Sequence, residues 1–185
     1  MSDDSELYQR YLRGDDDAFG ELIDKYYNGL IFYINGIINN PAETEDIVQN
    51  TFVKLAVKAL DFKGRSTFKT YVYAIARNQA INYLKRYRSR LSDEPVDEMI
   101  VFSDGSDPEK EYFRTERNSE IRKCMEELNK DYYQVLYLMY FENMKTEEIA
   151  MIMKKNKKQV ADLLYRAKQS LKTKLKERGI DHEEF

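Results

Sequence analysis

The chain is poor in the residues that redox, metal and membrane chemistry require. Its 185 residues include one cysteine, Cys124, and one histidine, His182. A lone cysteine excludes an intramolecular disulfide and a thiolate metal cluster, which fits a reducing, cytoplasmic setting. His182 stands near an acidic chain end, where a surface residue is the simple reading. Seven glycines and three prolines are too few for a turn-rich all-β chain. No apolar run approaches the ~20 residues needed to cross a bilayer, so direct membrane insertion is not expected. The start MSDDSE is acidic and polar, unlike a secretory signal. No paired-acid site, glycine-rich phosphate loop or metal-ligand cluster is apparent, so the chain is not expected to be an enzyme or to need a cofactor.

What is present is charge, strongly segregated. Charged residues make up 34% of the chain and hydrophobic residues 42%, proportions usual for a helical protein of one domain or two small ones. The formal net charge is −3. Yet residues 63–90 carry eight basic side chains and no acidic one: Lys63, Arg65, Lys69, Arg77, Lys85, Arg86, Arg88 and Arg90. Phe68, Tyr71, Tyr73, Tyr83 and Tyr87 interleave them. Residues 154–178 hold ten Lys or Arg against only Asp162 and Glu177. The compensating acids cluster at the N-terminus and between Asp93 and Glu111. Two separated basic blocks suggest two docking surfaces for a polyanion; the plainer alternative is that each is a solvated helix face.

Helical periodicity dominates the rest. From Ala18, apolar positions Phe19, Leu22, Ile23, Tyr26, Tyr27, Leu30, Ile31, Ile34 and Ile38 recur every three or four residues, with Asp15–Asp17 as N-cap acceptors. Asn40 can cap the next helix, with Pro41 at its first position. That helix carries Ile47, Val48, Phe52, Leu55, Ala56 and Ala59 on one face and should end near Phe62. A long helix is expected from about Thr67 to Arg90. Between Leu91 and Pro108 the periodicity vanishes. Two prolines and an acidic composition make this stretch a linker, with Met99–Phe102 a short apolar patch in it. Helices are then expected at about 109–128, 131–141, from a Thr146 cap, and from an Asn156 cap with Gln159 at the capping-box spacing. Gly179 is a plausible stop. The fold class is all-α: two small helical domains, 1–90 and 109–185, joined by a flexible acidic linker, 91–108.

Helix 146–154, a short turn and helix 157–178 form the arrangement of a helix-turn-helix. Ile149, Ile152, Val160, Leu163 and Leu164 would hold the pair together. Lys157, Lys158, Gln159 and Asp162 would face outward where a recognition helix enters the major groove. A structural helical hairpin would look similar. The segment Asp61–Tyr71 is more pointed: a small loop with cations precedes an aromatic-studded helix. Such a loop could accept an unstacked base, each stacked base being worth roughly 1–3 kcal/mol, although Phe68 itself reads best as core.

These pieces together resemble an extracytoplasmic-function sigma factor, the compact branch of the sigma-70 family of bacterial RNA polymerase subunits. The resemblance runs through Ala42–Phe52, Phe62–Asn82 and Leu128–Lys172, in the family's order with an acidic linker between. It implies an alternative sigma factor that binds core RNA polymerase and directs promoter-specific initiation. Residues 1–90 would be sigma region 2 and residues 109–185 sigma region 4. Asp46, Gln49 and Phe52 would meet the coiled coil of the polymerase's largest subunit, and the C-terminal domain its flap. The minus-ten element would be captured by Phe62, Lys63, Arg65, Ser66, Thr67, Tyr71, Tyr73, Arg77, Asn78, Asn82, Lys85 and Arg86. The minus-thirty-five element would be read by Lys157, Lys158, Gln159, Asp162 and Arg166. A membrane-anchored anti-sigma factor that could hold the chain at the inner face of the membrane is implied in the same way.

The sequence departs from the family in three places. Tyr71 stands where the family usually has Trp. Lys154 replaces the customary glycine of the helix-turn-helix turn. Ala161, Asp162 and Leu163 replace a frequent Lys, Ser and Arg, which removes two cations and adds an anion; Asp162 could accept from a cytosine amino group or face a protein. A stand-alone helix-turn-helix regulator, or an interaction module bound by an anti-sigma factor, are the alternative readings.

Overall fold

A computed structural model of the chain describes residues 3–57, 62, 64–92 and 116–179. Lys63, the acidic linker beyond Ser92, the Met99–Phe102 patch, the expected helix start at 109–115 and His182 lie outside the described residues. Among those described there is no strand. The helices are α1 (Asp3–Leu12), α2 (Asp16–Ile38), α3 (Pro41–Val57), α4 (Phe68–Ser92), α5 (Glu116–Glu126), α6 (Lys130–Leu136), α7 (Thr146–Met153) and α8 (Lys157–Glu177). A π-helical turn, Tyr137–Phe141, continues α6.

α1 was not anticipated. Its acidic start, Asp3–Glu6, precedes a short apolar stripe, Leu7, Tyr8, Tyr11 and Leu12, and Leu7 and Tyr8 are buried. Burial against the rest of the unit supplies the stability that so short a helix lacks alone. The Tyr8 hydroxyl donates to the Leu55 carbonyl at 3.2 Å, and Asp4 accepts from Lys25 and from the Tyr26 hydroxyl, fixing α1 across α2.

The expected caps form, with one exception. Asp15 accepts from the Ala18 amide at 3.2 Å, and Asn40 from Glu43 at 3.3 Å ahead of Pro41. Asn156 and Gln159 bond reciprocally at 2.8 and 2.9 Å, the two-way arrangement that satisfies two otherwise orphaned amides. Thr146, in contrast, is the first residue of α7, not its cap. Lys145 takes the cap position, and its amide donates to Glu148 at 2.9 Å.

The buried apolar side chains form one continuous core. α1–α4 close around Leu22, Leu30, Ile34, Val48, Leu55, Phe68 and Val72; α5–α8 close around Val135, Leu138, Ile149, Ile152, Val160 and Leu171. Both packing units are in contact with each other, α2 against α6 and α4 against α7.

Candidate nucleic-acid interface

α3 presents a stripe to solvent. Asp46 and Gln49 are exposed, and Gln49 donates to Glu45 at 3.3 Å. Phe52, expected on the same face, is only 6% exposed. It packs between Phe19 and Tyr27, with ring centroids 6.5 Å from each. It belongs to the core and backs the helix, which corrects its assignment to the partner-facing surface. Sequence reading missed Val53 and Val57, which are 57% and 80% exposed. They follow Gln49 at four-residue steps, so the stripe passes from polar to apolar along one helix face. That spacing was the signal available in the sequence.

Phe62, ahead of α4, is held by aromatic packing. Phe62 is half-buried, with its ring 5.7 Å from Tyr8, 5.8 Å from Phe68 and 5.1 Å from Tyr71. Phe68 is fully buried. Gly64, Arg65 and Ser66 lie between Phe62 and Tyr71 in sequence, and Gly64 and Arg65 are exposed. Thr67 caps α4: its hydroxyl accepts from the Thr70 amide at 3.2 Å. The N-terminus of α4 therefore offers hydroxyls and the positive end of a helix dipole, a setting that favours an anion.

Along α4 the expected contacts divide into two sets. Asn82, Lys85 and Arg86 are exposed. Arg86 and Arg90 join Asn40, Glu43, Tyr83 and Tyr87 around a cleft of about 500 Å³, with the Tyr83 and Tyr87 rings stacked at 6.1 Å. The first half of α4 is instead covered by α6 and α7. Tyr73 is fully buried, with burial and then the Glu142 carboxylate pushing its hydroxyl well above the usual tyrosine range. It is a core residue, not a surface contact. Arg77 Nε donates to Gln134 Oε1 at 2.7 Å. Lys69 pairs with the Glu142 carboxylate at 2.7 Å and donates to its carbonyl at 2.8 Å. Thr67 and Thr70 hydroxyls both donate to Glu148 Oε1, at 3.0 and 3.1 Å. Burial works to raise the Glu148 carboxyl, but the Lys145 amide and the two threonines outweigh it and hold it below its ordinary range. No sequence signal linked these residues, which are separated by 57 to 81 positions.

The helix-turn-helix is open. Lys157, Lys158, Gln159, Asp162 and Arg166 are all exposed near the start of α8, while Val160, Leu163 and Leu164 are buried as expected. Some of these polar groups are partly engaged. Lys157 pairs with Glu147 at 2.8 Å, Gln159 is spent on the cap, and Arg166 donates to the Asp162 carbonyl at 3.3 Å. Lys154 adopts the left-handed conformation, φ 55 and ψ 45. The Lys155 amide reaches back to the Ala150 carbonyl at 3.0 Å. The turn is thus built with glycine-like geometry on a lysine, a tight helix end of the Schellman type.

No group of three or more metal-ligating side chains forms among the described residues. None of the described helices is long and apolar enough to cross a membrane.

Known proteins share both halves of this arrangement. Residues 22–90 match the family profile described as sigma-70 region 2, and residues 118–171 the one described as sigma-70, region 4. The chain is 31% identical over 177 residues to the RNA polymerase sigma-H factor of Pseudomonas aeruginosa, covering 91% of each protein. It is 30% identical over 181 residues to the ECF RNA polymerase sigma-E factor of Escherichia coli K12, covering 93% of this chain and 94% of that one. Among solved structures, the sigma factor RpoE of Bartonella quintana, in complex with the anti-sigma factor NepR, superposes with a TM-score of 0.72 at 20% identity. That match covers 85% of this chain and 96% of that one. CnrH in complex with the cytosolic domain of CnrY gives 0.66 at 20% identity, covering 94% and 97%. At that identity the two structures speak for the fold.

Proposed function

The chain belongs to the sigma-70 family of RNA polymerase sigma factors, in the extracytoplasmic-function branch, and is an alternative sigma factor that directs transcription; from that premise we propose how its surfaces divide the work. The α3 stripe, Asp46, Gln49, Val53 and Val57, docks on the coiled coil of the polymerase's largest subunit, with Phe52 holding the helix from beneath. The C-terminal unit takes the flap. The loop around Arg65 and Ser66, with Tyr71 as the platform behind it, receives an unstacked base of the minus-ten element. Arg77, Asn78, Asn82, Lys85 and Arg86 follow the adjoining strand. Lys157, Lys158, Asp162 and Arg166 on α8 enter the major groove at the minus-thirty-five element. Residues 1–90 and 109–185 serve as the two domains on either side of the linker.

The work is binding, not catalysis. Unstacking a duplex step costs a few kcal/mol. Stacking on an aromatic returns roughly 1–3 kcal/mol per base, and cations on phosphates add a salt-dependent contribution. The observation that carries this reading is the presence, in one chain, of an exposed acid–amide helix face, an aromatic loop capped toward anions, and an open helix-turn-helix. The relatives solved with anti-sigma factors support a partner of that kind here too, one that would keep the chain at the membrane without insertion of its own.

The test is transcription from fragmented genomic DNA by core polymerase with and without the protein, followed by sequencing of the 5′ ends. New start sites sharing two spaced elements are expected. A duplex footprint without any polymerase-dependent start site would overturn the proposal and favour a stand-alone regulator. The exposure of α8 while the first half of α4 is covered is the observation that lends that second reading some weight.

A further inference from the structure

The far end of α4 carries a cleft in which only Arg86 has a part in the division of surfaces above. Tyr83, Arg86, Tyr87 and Arg90 recur at steps of three and four, so they stand on one face of α4. The start of α3 meets them with Asn40 and Glu43, and the six residues line a concavity of about 500 Å³, within the range of small-molecule sites. Asn40 caps α3 by accepting from the Glu43 amide at 3.3 Å, which holds Glu43 in the first turn of that helix. The Tyr83 hydroxyl registers the convergence: burial raises it above its ordinary range, Glu43 adds to the rise and Arg90 works against it. Elsewhere on the surface cations and acids are spent on each other, as Lys157 is on Glu147 and Arg178 on Glu120 and Glu127. Among the described residues, no ion pair or hydrogen bond engages the side chains of Glu43, Arg86 or Arg90.

A nucleotide offers a group to each of these side chains. Tyr83 and Tyr87 stack with centroids 6.1 Å apart and 19° between their planes. A base needs about 3.5–4 Å on each face, so there is no slot between the rings, and the open ring is that of Tyr87, 44% exposed. Stacking accepts any base, and the carboxylate is what discriminates. An ionised carboxylate only accepts; guanine turns two adjacent donors to it, N1–H and the exocyclic amine, where adenine and cytosine have the amine alone. The arginine fork suits phosphate. A passing nucleic-acid strand meets the charge of Glu43 with its phosphates, whereas a free nucleotide turns its base to that carboxylate. We propose that the cleft between α3 and α4 binds a free guanine nucleotide, its base on Tyr87 and against Glu43 and its phosphates on Arg86 and Arg90, and that an occupied cleft withholds Arg86 from the promoter strand. The first half stands on the cleft alone; the second rests on the sigma-factor reading above.

Calorimetric titration of the full chain with GDP, ADP and CDP tests the site. The three carry the same phosphate charge, so plain attraction to a basic patch treats them alike. GDP should bind at least about tenfold more tightly than ADP or CDP, the discrimination of one good bidentate pair. Glu43→Gln should abolish that preference. Arg90→Ala and Tyr87→Ala should weaken all three nucleotides, with helix content by circular dichroism unchanged in every variant. Equal binding of the three nucleotides, no binding of GDP, or a Glu43→Gln protein that keeps the preference overturns the proposal. Promoter opening by core polymerase with the protein, read by permanganate reactivity, tests the second half. GDP should reduce opening with wild type and leave it unchanged with Glu43→Gln. GDP that binds wild type without reducing opening overturns the withholding of Arg86. If the chain binds GDP and never programs core polymerase, the sigma-factor reading falls and the nucleotide site stands. If it programs polymerase and ignores GDP, only the site falls.

Discussion

Lys154→Gly should make the protein more stable, which is unusual for a change that adds chain flexibility. Lys154 is an exposed residue held at φ 55 by the helix end between α7 and α8. For an L-residue this left-handed region costs roughly 1–2 kcal/mol through the approach of Cβ to the following carbonyl. Glycine escapes that cost but loses about 0.5–1 kcal/mol more backbone entropy on folding. The difference leaves a net gain of about 0.5–1 kcal/mol. In a unit of this size that corresponds to a rise of roughly 2–8 °C in Tm. Lys154→Ala is the control, since it removes the same charge and keeps the Cβ; its Tm should match wild type. Melting followed by helical ellipticity decides. A Lys154→Gly protein no more stable than Lys154→Ala would refute the strain assignment. Binding to a duplex promoter fragment gives an independent check. Both variants lose one cation, so both should weaken equally and show a salt slope shallower by up to about one. A selective change in Lys154→Gly would mean that the turn is not already in its glycine-like form.

Asp46→Ala with Gln49→Ala should weaken core polymerase binding about tenfold or more, as loss of a polar anchor pair at an interface does, with helix content unchanged; fluorescence titration with core enzyme measures it. Phe52→Ala should instead cost the fold about 3–5 kcal/mol, the range for a buried Phe, visible as a lower urea midpoint; a normal midpoint would return Phe52 to the surface. Arg65→Ala should impair strand opening at a promoter, read by permanganate reactivity, more than it impairs core binding, and equal loss of both would point to misfolding. Alkaline pH should separate the units. Burial raises the hydroxyls of Tyr33, Tyr73, Tyr133 and Tyr137 above their ordinary range. A raised folded-state pKa contributes stability that is complete below the unfolded value of about 10 and disappears as pH climbs past it. The tyrosinate absorbance should therefore show a late, cooperative phase coinciding with expansion of the chain; ionisation of every tyrosine near pH 10 in a compact molecule would refute it.

The helices of both units were legible wherever an amphipathic stripe met a cap, as at Asp15, Asn40 and Asn156. They were misread where those signals conflicted. At α1 the acidic first residues mask the helix signal, although Leu7, Tyr8, Tyr11 and Leu12 have helical spacing and acids suit a helix start. Thr146 offered a better capping side chain than Lys145, yet Glu148 reaches back to the Lys145 amide and shifts the start by one residue. At the functional surfaces, exposure followed from residue type for Asp46, Gln49 and the α8 cations. It did not for Phe52 and Tyr73, because a helix periodic on more than one side does not say which side meets a neighbour. The contacts of Gln134, Glu142 and Glu148 with α4 were out of reach altogether: each is an ordinary polar residue on its own helix, and only the tertiary fold brings it to a partner.

That hidden interface is continuous with the apolar core on either side of it and adds polar contacts to it. Leu22, Ile34 and Leu55, or Val135, Ile149 and Leu171, lose apolar surface that water would not accept in exchange. Between the units buried tyrosine rings meet, Tyr33 against Tyr137 at 5.7 Å, and alongside them stand tyrosine hydroxyls on carbonyls, an amide on a guanidinium, and carboxylates on threonine and lysine. Each of those polar groups is rehydrated when the units part, and a hydrogen bond exchanged for water nets only about 0.5–1.5 kcal/mol. The hydrogen bonds set the register, and the ring contact of Tyr33 with Tyr137 adds apolar burial that separation would give back to water.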